Sequence, residues 1–359
     1  MPNLSTRKAK ILKSIVEDYI NQAEPISSSD IKLRHLPEFS SATIRNELSA
    51  LEEMGYLYQP HTSSGRVPTK EAYKLYVEKL MPKHKLSKAE LNLIKSQFNQ
   101  QMIQIKDVLK KTAHVISQVT NYTSLAFVND ISEAVIENIK IVKLTPKTAL
   151  VIVVTNLGVL KDATVDMEEE MDDTYFDAIS KLSMQAFGGR KIAQVMKPDN
   201  AIKQTLKGYK KIFDTIIDII KKYYEQAGAE DFVLEGASKL LEYPEYSNIT
   251  KAKSIIAMLE AKEQLLPALK TTDNVQLNIS IGKDDKCDSL SDCAVITANY
   301  TLNGKNIGQA GVIGPIRMDY SKVVSVLDYV GKTINENMNR HINISIDGND
   351  ENDENDKLE

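Results

Sequence analysis

The amino-acid sequence predicts an α+β chain in which a small helical unit precedes a larger body of mixed helix and strand. Two observations carry this. Residues 1–70 pass from apolar residues at helical spacing to two short extended runs around a polar loop, and farther on β-branched runs lie on both sides of a long helical block. At 359 residues the chain has room for two or three domains of roughly 100 to 200 residues each. Its 42% apolar and 26% charged content is that of an ordinary folded protein.

Ser5 or Thr6 caps a first helix with Ile11, Leu12, Ile15, Val16, Tyr19 and Ile20 at helical spacing. Beyond Pro25, Ser27 and Asp30 have capping-box spacing and open a short helix with Ile31 and Leu33, which stops before Pro37. Ser40 caps a third helix over residues 41–54, where Ile44, Leu48 and Leu51 share one face while Arg45, Asn46 and Ser49 point elsewhere. Gly55 ends that helix. Residues 56–58 then read as a strand, 61–66 as a polar loop with Gly65 at its tip, and 67–68 as resumed extended chain. Three helices followed by strand, loop and strand describe a winged helix-turn-helix over residues 1–85.

Residues 86–120 read as a linker helix, with a capping box at Ser87 and Glu90. Its stripe from Leu91 through Ile94, Phe98, Met102, Ile105, Leu109 and Ala113 to Ile116 runs for about thirty residues, the length of a connector or dimer seam. Residues 124–128, 139–144, 149–154 and 159–165 are β-branched runs with a hairpin signal at Asn156-Leu157-Gly158. Residues 168–226 turn helical with a break at Gly188-Gly189-Arg190. Within them Leu206, Tyr209, Phe213, Ile216 and Ile220 recur at heptad steps, as an intramolecular core or a subunit contact would require.

Helix is expected again from residue 231 to about 270, then strands over 275–281, 294–300 and 307–313 with a second hairpin turn at Asn303-Gly304. A closing helix buries Val323, Leu327, Val330 and Ile334. Strands on both flanks of the helical block predict one α+β domain, residues 121–167 and 228–345, interrupted by an insertion over 168–227. The last stretch, 346–359, is rich in Asp, Glu and Asn and is expected to be a solvated, disordered tail.

The net charge of -4 is unevenly placed. Residues 1–85 hold 13 Lys and Arg against 10 Asp and Glu, whereas residues 347–359 hold seven acids and one Lys. A basic head on a near-neutral body permits DNA binding without establishing it. The third helix supplies the chemistry: Ser41, Thr43, Arg45, Asn46 and Ser49 are short polar or bidentate side chains of the kind that read base edges in a major groove. Arg suits guanine and Asn suits adenine, each at about 1 to 3 kcal/mol of discrimination. Ser63, Ser64 and Arg66 on the loop suit phosphate or minor-groove contact, and Arg7, Lys8 and Lys10 are further phosphate candidates.

Catalytic patterns are missing from the sequence. His35, His61, His84, His114 and His341 lack metal-ligand spacing, and no phosphate-cradling glycine loop is present. Gly308, Gly311 and Gly314 are spaced wrongly for one and read as strand-edge glycines. Cys287 and Cys293 read as plain thiols. The chain is therefore expected not to be an enzyme and to use no cofactor or metal. With no apolar run near about 18 residues and no leader, it is expected to stay in the cytoplasm, away from membranes.

Residues 40–47 (SSATIRNE), 51–56 (LEEMGY), 63–69 (SSGRVPT), 231–236 (DFVLEG) and 311–323 (GVIGPIRMDYSKV) closely resemble the heat-inducible transcription repressor family, HrcA. The likeness spans nearly the whole chain apart from the acidic tail. It implies a GAF-like identity for the interrupted α+β domain and a dimerisation role for the insertion, which places Leu206, Tyr209, Phe213, Ile216 and Ile220 at a homodimer interface. It also implies repression of chaperone operons through an inverted-repeat, CIRCE-type operator in double-stranded DNA, with the GroEL chaperonin keeping the repressor active.

Overall fold

The computed structural model describes residues 4–62, 64–98, 105–128, 134–155, 158–196, 209–230, 232–261, 265–266, 269, 276–282, 290–302 and 305–347. Helix and sheet are mixed, as the sequence predicts. In the N-terminal unit, α1 (Thr6–Gln22), α2 (Ser28–Arg34) and α3 (Ser41–Glu53) begin at their expected caps. Ser5 accepts from the Lys8 N–H, Ser40 from the Thr43 N–H, and Ser27 forms a complete capping box with Asp30. Ile11, Leu12, Ile15, Ile31, Ile44 and Leu51 are fully buried where the three helices meet. Each such side chain stabilises the unit by roughly 1.5 to 3 kcal/mol.

Strands β1 (Leu57–Tyr58) and β2 (Val67–Pro68) pair antiparallel, and Arg66 bridges to Ile26 beside them. Gly65 is required at that crossing, because a Cβ there would lie 2.4 Å from the backbone carbon and oxygen of Ile26. Helix α4 (Lys70–Leu75) and a π-helical turn (Tyr76–Leu80) lead into the body.

The body is organised by an antiparallel five-stranded sheet. Its strands are β3 (Thr123–Phe127), β7 (Phe232–Glu235), β8 (Leu277–Ile281), β9 (Cys293–Leu302) and β10 (Lys305–Pro315), in the order β7-β3-β10-β9-β8. Strands from both sides of the excursion thus share one sheet, as expected. Helices α5 (Lys88–Phe98), α6 (Ile105–Thr120) and the closing α11 (Tyr320–Asp347) belong to the larger apolar core. A second cluster, including Leu240, Tyr246, Ile255 and Leu259, joins two 3₁₀ turns (Ala237–Glu242 and Pro244–Tyr246) and α10 (Ile249–Glu260) to the sheet.

Several expectations are corrected. Strands β4 (Ile136–Thr145), β5 (Thr148–Thr155) and β6 (Gly158–Asp166) form their own sheet, order β4-β5-β6, instead of extending the large one. The strands are close neighbours in sequence and pair with each other, while β3 already has β7 and β10 on its two sides. The excursion from the large sheet therefore begins after β3, well before residue 168. Phe232–Glu235 is an edge strand where helix is expected, its β-prone side chains pairing with β3. The thirty-residue stripe is not one rod: α5 and α6 pack against each other, burying Ile94, Phe98, Ala113 and Ile116 within the chain. Gly311 lies in a central strand, where a Cβ would meet the Ile296 carbonyl oxygen at 2.4 Å.

The heptad-spaced face is also intramolecular. It belongs to α9 (Lys210–Glu230), which packs with α7 (Asp173–Phe187) and the short α8 (Ile192–Val195) on the face of the small sheet that carries the buried Ala149, Val151 and Val153. Phe213, Ile216 and Ile220 are at most 1% exposed, Phe213 meets Phe187, and the Tyr209 ring lies 5.4 Å from that of Tyr175. Phe213, Ile216 and Ile220 are unavailable to a second chain because the sheet of their own chain covers them, while Tyr209 is half-buried. Leu206 lies outside the described residues, as do the two hairpin tips and residues 348–359 of the tail.

Candidate nucleic-acid interface

Helix α3 has two distinct sides. Ile44, Leu48 and Leu51 face the core at 0, 5 and 0% exposure, while Ala42, Arg45, Asn46, Ser49 and Glu53 are exposed. At about 100° per residue, Ala42, Asn46, Ser49 and Glu53 fall within one narrow stripe opposite the buried one, with Arg45 on its flank. Ser41 and Thr43 are half-buried, and the Thr43 hydroxyl lies 2.9 Å from that of Ser40 within the helix cap. The structure thus separates three outward-facing residues, Arg45, Asn46 and Ser49, from two at the helix start.

Arg45 is anchored from below. Its Nε donates to the Ser28 hydroxyl at 3.3 Å, so α2 holds the stem of the side chain while the guanidinium remains exposed. Ser28 belongs to the Ser27–Asp30 cap, where the Ser27 hydroxyl holds the Asp30 carboxyl below its ordinary value against the opposing effect of burial. Between the start of α2, α3 and the β1–β2 loop lies an open groove of about 390 Å³, lined by polar residues that include Ser29, Arg45, Ser49, Gln59, Thr62 and Ser64.

The loop is braced from within. The Gln59 side-chain amide donates to the carbonyls of Thr62 and Ser64 at 3.0 and 2.9 Å, and the Ser64 hydroxyl donates to the His61 carbonyl at 2.7 Å. Arg66 departs from expectation: it forms an ion pair with Glu52 of α3 at 2.9 Å and its side chain is 16% exposed. A cation read as a phosphate contact is a strut between loop and helix, because α3 brings a carboxylate to it. Among the described residues of the loop, His61 and Thr62 have exposed side chains; Ser63 lies outside the described residues. Gln59, Ser28 and Ser29 escape a reading by motif; their only sequence signal is polarity beside a turn and a cap.

Arg7 and Lys8 both reach Glu47 of α3, at 3.4 and 2.7 Å. Two cations on one carboxylate leave a surplus positive charge beside α3, suited to a polyanion. His35 is structural, its Nε2 2.9 Å from Asp18 of α1. Cys293 is buried beside Tyr246, and Cys287 lies outside the described residues. Among the described residues no group of three His, Cys, Asp or Glu is placed to hold a metal ion, and no helix is long and apolar enough to cross a membrane.

Residues 106–324 match the family described as HrcA protein C-terminal domain. The heat-inducible transcription repressor HrcA of Clostridioides difficile (strain 630) is 39% identical over 342 residues, covering 92% of this chain and 99% of that protein. The protein of the same name from Acetivibrio thermocellus is 33% identical over 348 residues, covering 96% and 99%. Among solved structures, one described as a hypothetical protein at 2.2 Å resolution shares the fold with a TM-score of 0.66 and 22% identity, covering 94% of this chain and 99% of that one.

Proposed function

The chain belongs to the HrcA family of heat-inducible transcription repressors, a family of regulators and not of enzymes, and from that premise we propose that it binds an inverted-repeat operator of CIRCE type in double-stranded DNA as a homodimer. In this reading the N-terminal unit acts as a winged helix-turn-helix, and bound operator blocks transcription of chaperone genes in the cytoplasm. The carrying observation is the exposed Arg45, Asn46 and Ser49 on a helix whose opposite face is fully buried. Such a helix can enter a major groove without disturbing its own core. Arg45 and Asn46 read base edges, while the braced loop offers Thr62 and His61 to the sugar-phosphate backbone.

Dimerisation is assigned to the small sheet, on a different surface from the heptad face. Val142, Leu144, Leu150, Ile152 and Val154 occupy its outer face, and the first two are 43 and 51% exposed. Register supports a two-fold contact, since Lys140, Ile152 and Asp162 form one row across the three strands. A rotation axis parallel to the strands sets Lys140 of one chain over Asp162 of the other, with the apolar centre between them. In this scheme the large sheet and its helices are the GAF-like domain.

Dependence on the GroEL chaperonin follows from kinship and has a physical basis in the topology. Strand β3 pairs with β10, so Leu125 lies opposite Gly311 with about half of the chain between them, and non-local pairing of this kind folds slowly with apolar surface exposed. Heat diverts the chaperonin to other clients, active dimer is depleted, and operators empty.

Footprinting on the DNA upstream of the chain's own gene tests the reading. A protected site with dyad symmetry is expected, bound more tightly than scrambled duplex at one fixed salt concentration. Equal affinity for both duplexes defeats it.

A further inference from the structure

Residues 311–323 stand out in the sequence, yet lie outside the groove around α3. From their contacts we infer that Arg317 is a positioning residue for DNA binding, a clamp that fixes the angle of the N-terminal unit on the body; the functional part of this inference rests on the proposed operator reading.

Two distant parts of the chain converge on its guanidinium. One terminal nitrogen donates to the Ile20 carbonyl in the last turn of α1, at 2.9 Å and 297 residues distant in sequence. Nε and the other terminal nitrogen donate to the two carboxylate oxygens of Glu245 in the second 3₁₀ turn. The group also lies 5.5 Å from the centre of the Tyr243 ring, which stacks on Tyr122, whose hydroxyl accepts from the Asp319 N–H at 2.9 Å. The Arg317 side chain is only 11% exposed. A planar fork of fixed donors held on two sides defines an orientation, which a flexible ammonium does not.

The neighbours of Arg317 act in the same direction. Tyr320 packs against Tyr73 of α4, and the Ser321 hydroxyl donates to the Pro82 carbonyl in the connecting segment. Helix α1 in turn carries α3, through their shared core and the Arg7 and Lys8 pairs to Glu47. Rotating α1 against the body therefore rotates the DNA-facing stripe. In a two-fold assembly that angle sets the distance between the two α3 helices, and half-site spacing is matched to that distance.

A loosened clamp leaves each half-site contact intact but lowers the effective concentration of the second head. Arg317→Ala in the full-length chain is expected to weaken binding to the footprinted inverted repeat by about tenfold or more while leaving affinity for a single half-site unchanged. It is also expected to flatten the dependence on half-site spacing. Arg317→Lys falls between wild type and Ala, and Glu245→Gln, which keeps the shape of the turn, shifts in the same direction as Ala. Equal losses on half-site and full repeat, or none on either, overturn the inference. Should Arg317→Ala not fold, Glu245→Gln decides the matter by the same criterion. Trypsin cleavage at Lys83 and Lys85, in the segment between the two parts, needs no DNA. It is expected to accelerate in Arg317→Ala and Glu245→Gln, and unchanged cleavage refutes the clamp even if wild type shows no operator preference. That last result defeats the operator reading alone.

Discussion

Replacing Arg45 with Ala separates base reading from scaffold. The side chain is exposed and makes one described hydrogen bond, the 3.3 Å contact from Nε to Ser28. The contact is part-buried but long, so its loss changes stability by about 0.5 kcal/mol, near the scale of ordinary surface substitutions. If the guanidinium takes a guanine edge, each half-site loses about 1 to 3 kcal/mol of discrimination at one base pair, a factor of roughly 5 to 150. Two symmetric half-sites double that energy to about 2 to 6 kcal/mol for the whole operator. Fluorescence anisotropy at one fixed salt concentration measures it, using the footprinted duplex and duplexes changed symmetrically at single base pairs. The variant is expected to lose its preference at one symmetric position and keep it elsewhere, with an unaltered thermal melt. A loss of equal factor on operator and scrambled duplex makes Arg45 a phosphate contact, and an unaltered preference at every position removes it from the interface; either refutes the reasoning.

Arg66→Ala is expected to lower the melting temperature, because it breaks the strut to Glu52, and to weaken binding to all duplexes by a similar factor; calorimetry and anisotropy on the same sample check both. Ile216→Ala, deep in the intramolecular core, should cost about 2 to 5 kcal/mol in denaturant unfolding without selectively weakening dimerisation. Ile152→Asp, on the outer sheet face, is expected to dissociate the dimer in sedimentation experiments while the monomer stays folded, and a dimer that persists refutes the assignment of that face. Burial raises the Glu90 carboxyl, but hydrogen bonds from the Ser87 backbone, Lys322 and the Ser87 hydroxyl outweigh it and hold the group at about 2, against an ordinary 4.5. A folded-state value that is depressed contributes stability above about pH 4.5 and loses it as pH falls toward 2; because solvent screens so exposed a pair, the contribution is about 1 kcal/mol or less. Acid unfolding of Glu90→Gln should lack that part of the pH slope.

Local pattern made much of the candidate site legible. The apolar residues of α3 repeat at the helical period and Ser40 caps it, so the side bearing Arg45, Asn46 and Ser49 is determined within fourteen residues. The motifs that carry the family resemblance are contiguous as well. Pattern of this kind shows which face of an element is apolar, but the partner that covers it is non-local. Phe213, Ile216 and Ile220 have the same spacing whether a sister chain or β5 and β6 lie against them, and only the folded chain puts its own sheet there.

Charge behaves likewise. Arg66 in a polar loop reads as an available cation until α3 brings Glu52 to 2.9 Å, and nothing local sets Arg317 apart from the other arginines until α1 and the 3₁₀ turn close on it. The sequence by itself determined the element types of the N-terminal unit, the outward stripe of α3 and the family, because these depend on neighbours a few residues apart. Tertiary structure alone decided which polar groups remain available, which strands share a sheet and which apolar face is left uncovered, because each depends on contacts between residues far apart in the chain.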